Sequence, residues 1–236
     1  MLREMGLEPV WRLRVAEPDR EDALPAASPA AEARIDPGPG IPQGDNRAER
    51  ILRMDWQQLK AAVPQCRACA LSAARAHTVF GVGDEHADWL LVGEAPGAEE
   101  DARGEPFVGQ AGRLLDNMLA SIGLKRGANV YITNVLKCRP PGNRNPERGE
   151  VEQCSPYLQR QIELIRPKLI VAMGRFAVQT LLDTDASIGS LRGRVHRYRG
   201  VPLIVTYHPA YLLRSLHEKA KAWEDLCFAR RTLTGL

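Results

Sequence analysis

Residues 89–97 read WLLVGEAPG: four apolar residues and a glycine, then a polar turn carrying proline and a second glycine. A continuous apolar run this short, closed by a turn, suits a strand covered on both faces; a strand with one wet face would alternate instead. Three further runs of the same kind follow, Val130–Thr133, Leu169–Met173 and Leu203–Thr206. Helical patterns over 110–122, 147–165 and 174–183 separate them. The alternation predicts a doubly wound, three-layer α/β/α domain around a central, mainly parallel four-stranded sheet. In such sheets ligands bind beyond the carboxyl ends of the strands. GEAPG after the first run, Asn134 after the second, Gly174 after the third and Tyr207-His208-Pro209 after the fourth all fall there.

Upstream the character changes. Residues 49–62 look helical, but 16–50 carry six of the 17 prolines, many alanines and no aromatic residue. Such a segment buries too little apolar surface to offset its ordering entropy, so 1–50 is expected to be a disordered tail and linker and 51–236 the folded domain. The first 15 residues, with Trp11 among arginines, read as a frayed terminus or a short docking peptide for a replication or repair partner. The head holds 7 Arg, no Lys and 10 acidic residues; the remainder holds 25 basic and 19 acidic ones, an excess that permits a polyanionic partner. No apolar run approaches a membrane span, and MLREMGLEPVWRLR has no apolar signal region, so a cytoplasmic protein without membrane attachment, and a monomer, is expected.

The chain has five cysteines, too few for a disulfide scaffold. Cys66 and Cys69 form a C-x2-C pair; Cys138 and Cys154 follow at a distance, and Cys227 lies alone on an apolar stretch beside Trp223 and Phe228. Four thiolates in two groups suit zinc or an iron–sulfur cluster, and spacing does not separate the two. A redox pair or unrelated buried cysteines are the competing readings; Cys227 reads as core.

GEAPGAEED at 93–101, GEPFVGQAGRLLD at 104–116, TNVLKCRPPGNRNP at 133–146 and HPAYLLR at 208–214 together resemble the family 4 uracil-DNA glycosylases, the iron–sulfur branch of their superfamily. The match runs from about Asp55 to Arg231. The resemblance implies a [4Fe–4S] cluster on Cys66, Cys69, Cys138 and Cys154, and a monofunctional enzyme that releases uracil from single- or double-stranded DNA and leaves an abasic site. A cluster-bearing DNA-binding scaffold without turnover is the alternative. The inserted basic, histidine-containing loop of relatives that trap DNA covalently is absent, since PPGNRNP follows Arg139 directly.

A glycosylase must extrude its target base into a pocket, hold it, and stabilise it as it leaves. By resemblance Phe107 is the stacking plate, Asn134 the reader and His208 the donor to the departing base. An amide suits uracil, whose N3–H donates beside the O4 acceptor; cytosine presents the reverse. Glu94, Ala95 and Pro96 are expected to line the pocket. Ala95 stands where the uracil-specific branch has a water-orienting aspartate, so Glu94 is assigned to the water, with Glu99, Glu100 and Asp101 the other carboxylates at hand. Glu100 is placed at the pocket edge near C5. Leu212 and Leu213 are the expected wedges into the duplex, with Lys137, Arg139, Arg144 and Arg214 as phosphate contacts.

Overall fold

A computed structural model describes residues 47–235. The chain begins with helices α1 (Arg47–Arg53), α2 (Trp56–Gln65) and α3 (Leu71–Ala74), then the short strand β1 (Val82–Gly83). There follow β2 (Trp89–Gly93), α4 (Ala98–Arg103), α5 (Gln110–Ser121), β3 (Val130–Asn134) and α6 (Arg148–Ile165). The second half runs β4 (Leu169–Met173), α7 (Arg175–Leu182), α8 (Ile188–Leu191), β5 (His196–Tyr198), β6 (Val201–Thr206), α9 (Pro209–Arg214) and α10 (Lys219–Thr234). The helical pattern seen at 49–62 is two helices. Asp55 breaks it: its side chain accepts the Gln58 amide at 2.8 Å while Gln58 answers to the Asp55 amide, capping α2. The expected tail lies outside the described residues except for its end, because α1 already starts at Arg47.

The sheet has six strands in the order β1-β3-β2-β4-β6-β5. The four expected strands form its parallel centre, while β1 and β5 add short antiparallel edges. The chain first steps from β2 to β3 and then crosses back to β4, so the order reverses between β2 and β4. Strand residues alternate between two cores. Leu90, Val92, Ile170, Ala172, Leu203 and Val205 pack with Ile162 of α6 and Val178 of α7. Trp89, Leu91, Ile132, Val171 and Ile204 face the other way, against Leu115 and Leu119 of α5 and Leu226 of α10. The continuous apolar runs are thus strands covered on both sides. A third, smaller core joins Ile51, Leu59 and Val63 to Tyr157 beside Cys66 and Cys154.

Candidate active site

Beyond the carboxyl ends of β2, β3, β4 and β6 lies a cavity of about 760 Å³. Glu94, Ala95, Pro96, Glu100, Phe107, Asn134 and His208 all line it, so the structure brings the expected base-handling residues to one place.

Asn134 ends β3 and is 1% exposed, and its Oδ1 is buried without a hydrogen-bond partner. An orphaned buried acceptor costs about 1–3 kcal/mol. At a cavity wall it is what a donor on a bound molecule would satisfy. Gly93, ending β2, makes room for it: a Cβ there would lie 2.4 Å from Asn134 Oδ1 and 2.6 Å from Phe107 Cζ.

Phe107 is held in a conformation few side chains adopt, with φ +56°. Arg126 fixes it, donating through Nη1 to the Pro106 carbonyl and through Nη2 to that of Phe107, both at 2.9 Å, while pairing with Asp116 at 3.0 Å. The ring stacks near His208, 5.4 Å between centroids.

His208 caps α9 from its N-terminal side, with Pro209 at the first helical position, where its missing N–H costs nothing. The Ala210 amide donates to His208 Nδ1 at 3.1 Å. Nδ1 is therefore an acceptor, and the proton of the neutral ring sits on Nε2. Burial, helped by Arg214, pulls the His208 pKa down to about 4 against the pull of Glu100. The ring is neutral near pH 7. Gly174 allows it to sit there: φ is +89°, and a Cβ would approach His208 Cβ to 2.8 Å.

The carboxylates of GEAPGAEED divide their work. Burial pushes Glu94 up to about 7, opposed by Arg175. Glu100 accepts the Gly97 amide through Oε2 at 3.1 Å and the Val108 and Gly109 amides through Oε1 at 3.0 and 3.3 Å, tying the GEAPG turn to the Phe107 loop. Asp101 accepts the Ala76 and His77 amides, and Glu99 pairs with Arg103 at 3.7 Å. Glu94 and Glu100 both line the cavity, and of the two it is Glu100 that is tied to three main-chain amides.

Two expected DNA contacts are corrected. Lys137 is fully buried: its ammonium donates to Thr133 Oγ1 at 2.6 Å, Gln161 Oε1 at 2.6 Å and the Asn134 carbonyl at 2.8 Å. Leu212 is 1% exposed, because α9 turns that face inward. Leu213 and Tyr211 point out instead, 38% and 37% exposed. Arg214 lines the cavity, Arg139 donates to Asn143 Oδ1 at 2.7 Å, and Arg144 is clamped by both oxygens of Glu150 at 2.6 and 2.9 Å. Tyr207, expected at this edge, lines the cavity, whereas sequence reasoning missed Arg175 and Tyr211 there. Tyr207 stacks on Tyr211, 5.4 Å between centroids.

Cys66, Cys69, Cys138 and Cys154 line one separate cavity. Three of the sulfurs receive N–H donors: Arg75 Nη1 to Cys138 at 2.9 Å, Arg47 Nη2 to Cys66 at 3.3 Å and the Lys137 amide to Cys154 at 3.3 Å. Burial pushes Cys154 up to about 12, against Lys137. At Cys66 burial is outweighed by the Ala68 amide, Tyr157 and Arg47, and the thiol is lowered. Among the described residues no group of three or more His, Cys, Asp or Glu is disposed around a single ion. Cys227 is half-buried on α10 and outside this cavity.

This arrangement matches a known family. The chain belongs to the uracil DNA glycosylase superfamily, whose model matches residues 80–227. Several of its relatives are type-4 enzymes. The type-4 uracil-DNA glycosylase of Archaeoglobus fulgidus is 52% identical over 159 residues, covering 64% of this chain and 79% of that protein. Those of Sulfurisphaera tokodaii and Pyrobaculum aerophilum are 46% and 41% identical, covering 66% and 73% of this chain and 75% and 92% of theirs. Among the described residues no helix is long and apolar enough to cross a membrane.

Proposed function

We propose that the protein is a DNA-repair enzyme that extrudes uracil from DNA and hydrolyses its N-glycosidic bond, as the names of its type-4 relatives indicate. The observation that carries this reading is the buried, partnerless Asn134 Oδ1 at the cavity wall beside Phe107. Uracil N3–H is the donor it lacks; cytosine would bring an acceptor there and leave both groups unsatisfied. Phe107 supplies an apolar face for the ring.

Negative charge gathers on the base as the bond to C1′ breaks and its electron pair leaves with N1. The Nε2–H of neutral His208 donates to O2, and this hydrogen bond strengthens as charge builds, which lowers the barrier. Glu94 holds a water against C1′; the water oxygen forms the new bond and its proton passes to the carboxylate. Leu213, rather than Leu212, occupies the gap left in the stack, with Arg139, Arg144 and Arg214 nearest the phosphates.

Cys66, Cys69, Cys138 and Cys154 are the residues that would hold a [4Fe–4S] cluster. The donor set supports it: four cysteines, N–H donors onto three sulfurs, and a buried Lys137 ammonium with no carboxylate among its hydrogen-bond partners. Among the described residues no three of these ligand types gather around one ion, as a single zinc would need. Bound there, the cluster would tie α2, the loop after β3 and α6 together.

The test is incubation of the purified protein with a labelled strand bearing one deoxyuridine, then alkali. Cleavage at that position, with free uracil released and no cleavage at a cytosine control, is expected. DNA bound but never deglycosylated would sink the reading in favour of a scaffold. Iron and sulfide assays check the cluster separately, with about four of each per chain expected.

A further inference from the structure

Lys137 sits among the basic residues of KCRPPGNR yet never meets solvent. Its main chain belongs to the cysteine cavity: it precedes Cys138, and its amide donates to Cys154 Sγ at 3.3 Å. Its carbonyl accepts the Val79 amide at 2.8 Å, which fixes it from the other side. Its side chain runs back beneath the end of β3. There all three ammonium protons are spent, on Thr133 Oγ1, Gln161 Oε1 and the carbonyl of Asn134. Two of these acceptors are themselves anchored: Thr133 Oγ1 and Gln161 Nε2 both donate to the Phe80 carbonyl, at 3.0 and 2.9 Å.

We infer that Lys137 is a positioning residue that couples the four-cysteine site to base reading by fixing the main chain of Asn134. The inference deepens the proposed glycosylase function and rests on it. The amide that reads uracil stands on the last residue of β3; Val135 and Leu136 beyond it still donate to the Gly93 and Glu94 carbonyls on the β2 side, but on the other side the pairing with β1 has already ended at Ile132. The ammonium takes over at that point and grips the Asn134 carbonyl at 2.8 Å. The other end of the same residue is bound into the loop carrying Cys138. A displaced cysteine loop would therefore shift the ammonium, and through it the amide that must meet N3–H and O4 together. The spacing is tight: Asn134 Oδ1 would clash with any Cβ on Gly93, so the amide has little freedom to compensate.

The test is a double-mutant cycle on the holoprotein, reading kcat/KM for uracil release from single-stranded DNA and the inhibition constant of free uracil. Lys137→Met should lower kcat/KM about tenfold, the worth of one charge-assisted hydrogen bond, and weaken uracil inhibition to a similar degree, with iron and sulfide contents unchanged. In an Asn134→Ala background the same change should cost little more, because the group it positions is gone. Losses that multiply in the double variant, or an unchanged uracil inhibition constant, would overturn the inference. Should Lys137→Met lose iron, the cycle is read on Gln161→Met, which removes one acceptor without touching a cysteine loop. Multiplying losses there would overturn the inference equally. A wild-type protein that releases no uracil would overturn the activity itself, and is told apart from failure of the coupling alone.

Discussion

The ring of Phe107 stands 5.4 Å from that of His208, centroid to centroid, with 29° between their planes. The two are far apart in the chain, one from the loop between α4 and α5 and one just past the end of β6. The left-handed backbone of Phe107 is what permits the approach, and such strain costs about 1–3 kcal/mol. Phe107→Leu should lower kcat/KM about ten- to hundredfold, from a lost stacking contribution of about 1–3 kcal/mol. Arg126→Met should reproduce part of that loss from outside the cavity, because it frees the Pro106 and Phe107 carbonyls. Steady-state kinetics on a deoxyuridine oligonucleotide checks both.

Glu94 and His208 set the pH response. Glu94 titrates near 7, so its ionised fraction, and with it kcat/KM, should rise from pH 6 to 8. His208 stays neutral down to about 4 and adds no break in that range. Glu94→Gln should cut activity about a hundredfold and flatten the profile. The stability sign follows. The folded pKa of Glu94 lies above its ordinary value of 4.5, so its contribution is fully present below 4.5 and lost as pH rises through about 7. Glu94→Gln should therefore raise Tm more at pH 8 than at pH 5. For His208 the shift is downward from 6.5, so its contribution is present above that value and is lost as pH falls toward 4.

The two leucines of α9 should separate cleanly. Leu212→Ala empties a core site and should cost about 2–5 kcal/mol of stability. Leu213→Ala removes an exposed side chain, leaves Tm nearly unchanged, and should slow uracil release from duplex DNA more than from single strands. Thermal melts paired with both assays decide it. Loss of duplex activity from neither variant would remove α9 as the wedge.

Gly93→Ala is the smallest change with a large expected effect. Its Cβ would strike both Asn134 Oδ1 and Phe107 Cζ. Displacing reader and plate together by about 1 Å should lower kcat/KM about a hundredfold. The iron content of the purified protein, assigned to the separate four-cysteine cavity, should stay at the wild-type level.

The parallel centre of the sheet was legible because strands covered on both faces carry an unbroken apolar signal, as Leu169–Met173 does. The edges were not: β1 is two residues long and β5 is His196-Arg197-Tyr198, whose alternation suits a solvated hairpin as well as a strand. The cavity residues were legible through their motifs. Lys137 and Leu212 were not, because burial at these positions is decided by partners far along the chain. Gln161, which accepts from Lys137, lies 24 residues further on. A lysine between other cations looks like a phosphate contact until the end of β3 is known to need its three protons. Arg175 was hidden for a similar reason: nothing local to it says that Glu94 lies opposite.

Glu100 binds three main-chain amides drawn from both walls of the cavity. The walls then shift together or not at all, and the space between them behaves as a rigid mould. In such a mould a methyl that met a wall could not be relieved by movement, and the overpacking would cost about 1–3 kcal/mol.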